Sequence, residues 1–92
     1  MIVSFRHKGL RLYYEKGDAS KLPSQHVPKI RLILTRLDAA NKPEELNVPG
    51  YGFHSLSGEL KGFWSVKVSG NYRIIFRFES ENAHDVDYLD YH

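Results

Sequence analysis

The spacing of apolar residues changes part-way along this chain, and that switch limits the folds open to it. Between Gln25 and Ala40, Val27, Ile30, Ile33, Leu34 and Leu37 fall on one stripe of helical period, with Lys29, Arg31 and Arg36 away from its centre. From Gly62 the period drops to two. Phe63, Ser65 and Lys67 alternate with Trp64, Val66 and Val68; after Ser69-Gly70-Asn71, Tyr72, Ile74, Phe76 and Phe78 alternate with Arg73, Ile75 and Arg77. A chain that is helical first and then strand-like at hairpin spacing buries its apolar surface most economically by laying helices on a sheet. The expected class is α+β, with two helices from the N-terminal half packed on one face of a small, mostly antiparallel sheet.

The remaining segments fit around that plan. Met1 to His7 alternates like a short strand, and Lys8 to Lys16 sets Leu10, Tyr13 and Tyr14 on a helical face that Gly17 can stop. Pro28 is tolerable only in a first turn, so the second helix starts near residues 24–27. Asn41 to Gly52, with Pro43, Pro49, Gly50 and Gly52, is an irregular but orderable connection. Phe53 to Leu56 is a short strand, Ser80 to His84 turns the chain, and Asp85 to Tyr91 is the last strand. Gly70 sits where a hairpin needs a positive φ.

The chain's 92 residues form a single domain, 1–92, with a modest core: 41% hydrophobic and no cysteine. Without thiols there is no disulfide framework, which suits a reducing cytoplasm. No apolar run reaches the roughly 18 residues of a membrane span, and the N-terminus lacks a signal-peptide core, so the expected protein is soluble, unexported and not membrane-bound. Residues 1–37 carry eight Lys/Arg against two acids, while residues 38–92 carry five against nine. The first half therefore suits a polyanion. Solvated helix faces often carry such charges too, so the excess eases nucleic-acid binding without establishing it.

The chemistry-bearing residues lie late in the chain. Val86-Asp87-Tyr88-Leu89 reads as a strand that ties down Asp90-Tyr91-His92, against the usual looseness of a terminus. If strand pairing joins this end to His54 and Arg73, two imidazoles, a guanidinium, a carboxylate and a phenol converge. RNA cleavage without a metal needs a base for the 2′-hydroxyl, an acid for the leaving 5′-oxygen and a cation for the phosphate. Histidine, with an ordinary pKa of about 6.5, suits the first two tasks. Arginine suits the third. Asp90 could orient or charge an imidazole, and Tyr91 could donate to phosphate or stack on a base.

Plainer readings exist for each. His54 could face solvent, Arg73 could be a cross-strand surface charge, and His92 could be a loose last residue. His7, His26 and His84 have no partner pattern and read as surface or packing residues. His84, Asp85, Asp87, Asp90 and His92 are ligand types without a metal-site spacing, so no metal or other cofactor is expected. Ser55 and Ser57 lack a nucleophile elbow. Trp64, Phe63 and Phe76 read as core, and Gly50, Gly52 and Gly58 as turn glycines.

Ile2 to Gly9, Phe53 to Gly58, Gly62-Phe63-Trp64-Ser65-Val66, Asn71-Tyr72-Arg73-Ile74 and the closing Asp90-Tyr91-His92, in this order, resemble the HigB family of toxins from bacterial toxin–antitoxin modules, a branch of the RelE-like superfamily. The resemblance spans nearly the whole chain. It implies a RelE-like microbial ribonuclease fold and cleavage of messenger RNA on translating ribosomes, with growth arrest. It implies a HigA-like helix-turn-helix antitoxin as partner, operator DNA being met only through that antitoxin. It also implies His54, Asp90, Tyr91 and His92 as active-site residues and Arg73 as the phosphate contact. The basic first half, including Lys8, Arg11, Lys29, Arg31 and Arg36, would face ribosomal RNA. Two positions depart from relatives: Ser57 stands where many have lysine, which leaves either Lys61 or Lys67 to replace that contact or Arg73 to carry the anion alone, and Tyr72 replaces tryptophan as a packing change. Two other classes stay open on the residues alone. One is a non-catalytic module that binds RNA or protein through the basic helices; the other is a ribonuclease that needs no ribosome.

Overall fold

The computed structural model describes residues 1–90. Local chemistry sets both helix ends. Helix α1 (Lys8–Lys16) starts at His7, whose Nδ1 accepts from the Leu10 N–H at 3.2 Å, and stops at Gly17, whose φ of 71° lets its N–H reach the Tyr13 carbonyl. Helix α2 (Val27–Ala39) follows a 3-10 turn at Ser24–His26, with Pro28 in its first turn, where a missing N–H leaves no bond unmade. The start falls within the expected residues 24–27, with 24–26 wound more tightly as the 3-10 turn.

Four strands follow: β1 (His54–Ser55), β2 (Trp64–Ser69), β3 (Tyr72–Glu79) and β4 (Asn82–Asp90). They form one sheet in the order β1-β2-β3-β4, and every neighbouring pair is antiparallel. Gly70 takes φ 55° in the β2–β3 turn. The β3–β4 hairpin is tighter than the expected turn over Ser80 to His84: Glu79 pairs with Asn82, and Ser80 and Glu81 alone turn the chain, at φ 51° and 66°. Asn82-Ala83-His84 reads as turn-like by composition, but ladder pairing with Arg77 to Glu79 makes it strand.

The expected N-terminal strand is reduced to two parallel bridges beside β4, Ile2 with Ala83 and Phe5 with Val86. A bulge in β4 explains the gap. Asp85 adopts φ 53° where the register shifts, and its N–H turns to the Ser4 hydroxyl at 2.8 Å instead of a backbone carbonyl.

The sheet's two faces differ. On one, α2 buries Ile30, Ile33, Leu34 and Leu37 with Leu10 of α1 against Val66, Ile74, Phe76 and Val86. Each such side chain removed from water contributes about 1.5–3 kcal/mol. His26, buried beside this core, shares a hydrogen bond with the Tyr88 hydroxyl, and Tyr72 stacks on Tyr88 at 5.5 Å. Burial, with Tyr72 and Asp90 nearby, pushes the Tyr88 phenol up to about 12. The other face carries a smaller cluster, Leu56, Phe63 and Ile75, flanked by Leu60 and Leu89. No helix among the described residues is long and apolar enough to cross a membrane.

Asp38 fastens three parts of this layer. It accepts from the Ile2 N–H at 2.9 Å and from the Tyr14 hydroxyl at 2.7 Å. Burial opposes its ionisation, but these donors and the N-terminal amine outweigh it and hold the carboxyl below its ordinary value. A depressed carboxyl contributes stability that is present above the unfolded-chain value, about 3.9, and is lost as pH falls through the folded value. Asp38→Asn should therefore lower stability at pH 7 by about 1 kcal/mol and narrow its gap to the unsubstituted protein below pH 4. Thermal melts at pH 7 and pH 3 check this; an equal gap at both would contradict it.

Candidate active site

The helix-free face of the sheet holds the residues that can do chemistry. His54 in β1 pairs with Ser65 in β2, and Lys67 in β2 pairs with Arg73 in β3. Paired residues point to the same face, here the one shared with Ile75 and Leu89. One strand, β2, separates His54 in β1 from Arg73 in β3, so another element has to join them.

That element is the Gly52 carbonyl. It accepts from His54 Nδ1 at 3.0 Å and from Arg73 Nη1 at 3.2 Å. The segment is held by the Lys67 N–H, which donates to the Tyr51 carbonyl at 2.6 Å. Gly52 takes φ 59°, in the left-handed region, and a Cβ there would lie 3.4 Å from Arg73 Nη2 and 3.7 Å from Lys67 Cβ. Arg73 Nη1 also donates to the Ser65 hydroxyl at 2.8 Å. Ser65 has no exposure at all, so this buried acceptor and the Gly52 carbonyl fix one edge of the guanidinium.

The histidine contact determines which ring nitrogen carries a proton. A carbonyl oxygen can only accept, so Nδ1 is the protonated nitrogen and the neutral ring keeps its lone pair on Nε2. His54 is exposed, so that lone pair is open to a ligand. A proton acceptor and a fixed cation on one open face can bind a phosphate ester and take a proton from a group beside it.

The other sequence candidates lie elsewhere. Asp90 pairs with Tyr72, which places it on the helix-facing side of the sheet, where its charge acts on Tyr88. Tyr91 and His92 lie outside the described residues. Lys8 and Arg11 line a cleft of about 530 Å³ along α1, with Lys16, Lys21 and Glu15. Lys29 sits over the Tyr51 ring at 4.6 Å, and Arg31 and Arg36 border a groove along α2 with Glu45 and Tyr51. These helices cover the face opposite His54. Ser57 and Lys61 flank the 3-10 turn Gly58–Leu60, before β2 begins. Phe63 and Phe76 are buried, and Trp64 stacks on Phe53 at 5.0 Å. Among the described residues, no three His, Cys, Asp or Glu side chains come together to hold a metal ion.

Two contributors escaped the sequence reading, Gly52 as the carbonyl acceptor shared by His54 and Arg73 and Ser65 as the brace for Arg73. A small polar residue on the alternating face of β2, opposite a histidine and near an arginine, was the available signal for Ser65.

Residues 3–92 match the model of a family described as the RelE-like toxin of the type II toxin–antitoxin system HigB. The chain belongs to this HigB-like toxin family. It is 45% identical over 92 residues to the Endoribonuclease HigB of Proteus vulgaris, covering all of both chains. It is 36% identical over 94 residues to Toxin HigB-1 of Vibrio cholerae serotype O1, covering 100% of this chain and 98% of that one. Among solved structures, the YoeB-YefM complex from Staphylococcus aureus contains a chain that matches with a TM-score of 0.62 at 14% identity, over 97% of this chain and 98% of that one. At that identity the likeness concerns the fold: this HigB-like chain has a RelE-like toxin architecture of two helices on an antiparallel sheet.

The shared carbonyl makes a direct prediction. Long-range 15N–1H correlation spectra of the neutral His54 ring should show the Nδ1–H tautomer. Gly52→Ala, which strains the left-handed φ, should let the Nε2–H form appear. An Nε2–H ring in the unsubstituted protein would contradict the arrangement.

Proposed function

We propose that this chain is the toxin of a type II toxin–antitoxin module and acts as an endoribonuclease that cuts messenger RNA on the translating ribosome, in the bacterial cytoplasm. The observation that carries this reading is the meeting of His54 and Arg73 on the Gly52 carbonyl. It supplies a base with its lone pair outward and a cation with one edge fixed. Family membership and the name of the Proteus vulgaris relative support the reaction class.

In the proposed mechanism, His54 Nε2 takes the proton of the 2′-hydroxyl. The freed oxygen attacks the adjacent phosphorus, the O2′–P bond forms and the P–O5′ bond breaks. The products are a 2′,3′-cyclic phosphate and a 5′-hydroxyl. Arg73 carries the charge that grows on the non-bridging oxygens, its edge fixed beforehand so that little reorganisation is needed at the moment of reaction. His92 supplies the proton for the leaving oxygen and Tyr91 positions the substrate, while Asp90, on the helix-facing side of β4, acts on the His92 imidazole through its charge and does not touch the substrate. No metal enters this scheme.

The charge distribution supports a ribosomal substrate over bare RNA. Lys8, Arg11, Arg31 and Arg36 stand exposed on the helices, across the sheet from the chemistry face. A net charge of +2 offers few phosphate contacts to free RNA, and affinity falls with each contact missing. A protein basic on one side and reactive on the other suits a site walled by ribosomal RNA, with the message on the reactive face. The partner in this reading is a HigA-like helix-turn-helix antitoxin, through which alone the complex meets operator DNA.

Mapping of 5′ ends after induction should find cuts positioned by codon, and purified toxin should cut a message with ribosomes and leave the naked message intact. His54→Ala should slow cleavage by at least about 100-fold, the usual contribution of a general base, and keep antitoxin binding. Equal cutting of naked RNA would assign a ribosome-independent nuclease. Growth arrest that survives His54→Ala and Arg73→Ala but vanishes on neutralising Lys29, Arg31 and Arg36 would assign a non-catalytic binding module.

A further inference from the structure

The two β3 arginines on the helix-free face, Arg73 and Arg77, are treated differently. Arg77 is neutralised: its Nε donates to Asp85 at 2.8 Å and its Nη1 to Glu79 at 3.0 Å. Arg73, four residues earlier on the same face, pairs with no carboxylate among the described residues. Its acceptors there are the neutral Gly52 carbonyl and Ser65 hydroxyl. Directly across from it stands a second cation, Lys67, exposed and likewise without a carboxylate partner among the described residues. Like charges directly opposite each other on neighbouring strands destabilise a sheet. The acid closest in register on that face, Asp87, pairs across from Ile75 and accepts from the Tyr88 N–H.

We propose that Lys67 and Arg73 form a two-cation clamp for a phosphate group of the RNA, with Lys67 as a second phosphate-binding residue beside His54. This rests on the endoribonuclease reading and adds a residue to its site. Repulsion that costs stability in the free protein becomes attraction when an anion lies between the two charges. Gly52 makes room for that anion. With no side chain, it leaves the space beside Lys67 Cβ and Arg73 Nη2 unfilled. The Lys67 backbone is fixed by its bond to Tyr51, so its side chain leaves the sheet from a set point at the edge of the site. Lys61 lacks this placement, since it ends a 3-10 turn before β2 begins and has no cross-strand partner in β3.

The test compares the unsubstituted protein with Lys67→Ala, Lys67→Arg and Arg73→Ala in single-turnover cleavage of a ribosome-bound message, thermal melting and NMR titration with inorganic phosphate. Lys67→Ala should cut about 100-fold more slowly, the lower end of the loss seen when one transition-state donor is removed. Its melting temperature should be equal to or above that of the unsubstituted protein, and Lys67→Arg should restore most of the rate. Inorganic phosphate should shift the Lys67 and Arg73 side-chain resonances, and the Arg73 shift should weaken in Lys67→Ala. Unchanged cleavage by Lys67→Ala while Arg73→Ala is inactive would overturn the clamp and leave the site reading standing. A slow Lys67→Ala protein that melts early, or one that arginine does not rescue, would mark a structural role and also overturn it. If the unsubstituted protein does not cut, the endoribonuclease reading fails by itself, and the phosphate titration still decides whether the two cations bind an anion together.

Discussion

One backbone carbonyl holds the reactive face together. The Gly52 oxygen accepts hydrogen bonds from an imidazole on the edge strand and from a guanidinium two strands away. Without it, His54 and Arg73 would be separate surface residues on a small sheet. The geometry depends on a left-handed glycine, on the bond from the Lys67 N–H to Tyr51, and on a buried serine that accepts from the same guanidinium nitrogen, Nη1. Each is a backbone or small-residue feature. The charged groups are placed by atoms that carry no charge themselves, so the cation keeps its full effect on an incoming phosphate.

The sheet divides stability from chemistry. The face under the helices carries the larger core and the buried His26–Tyr88 contact. The opposite face needs only Leu56, Phe63 and Ile75 as an apolar floor, which leaves its β1 end free for polar work. At the other end, Arg77 with Asp85 and Glu79 closes the face with a balanced charge group beside the β4 bulge. A two-layer domain of this size can thus keep, at one end, a pair of cations that meet no carboxylate among the described residues, because burial on the far side carries the fold.

The helix-on-sheet plan was legible because both periods are strong: Ile30, Ile33, Leu34 and Leu37 form one stripe, and Tyr72 to Phe78 alternates except at Ile75, which is buried on the opposite face. The β4 start was not legible. Asn82 to His84 lacks strand-forming residues and becomes strand only by pairing with its neighbour. The N-terminal segment alternates correctly but meets a bulge that forms 80 residues later in the chain, a non-local event that its own residues do not encode. His54 and Arg73 were nameable by residue type, since an imidazole and a guanidinium are what phosphodiester chemistry asks for. Their meeting was not, because it runs through a carbonyl that every residue possesses and a glycine conformation that residue type permits without requiring. The register that sets Asp90 beside Tyr72, on the helix side, was likewise invisible before β4 was placed in the sheet.

The central claim is that His54 Nε2 draws a proton from the 2′-hydroxyl next to the cut. It is tested most directly by programming ribosomes with a message that carries a single 2′-deoxynucleotide immediately 5′ of the scissile phosphate. The account predicts that this message stays whole, while the all-ribose control is cut and ends in a 2′,3′-cyclic phosphate. Cleavage of the deoxy-substituted message at the control rate would show that another nucleophile does the work and would contradict the account.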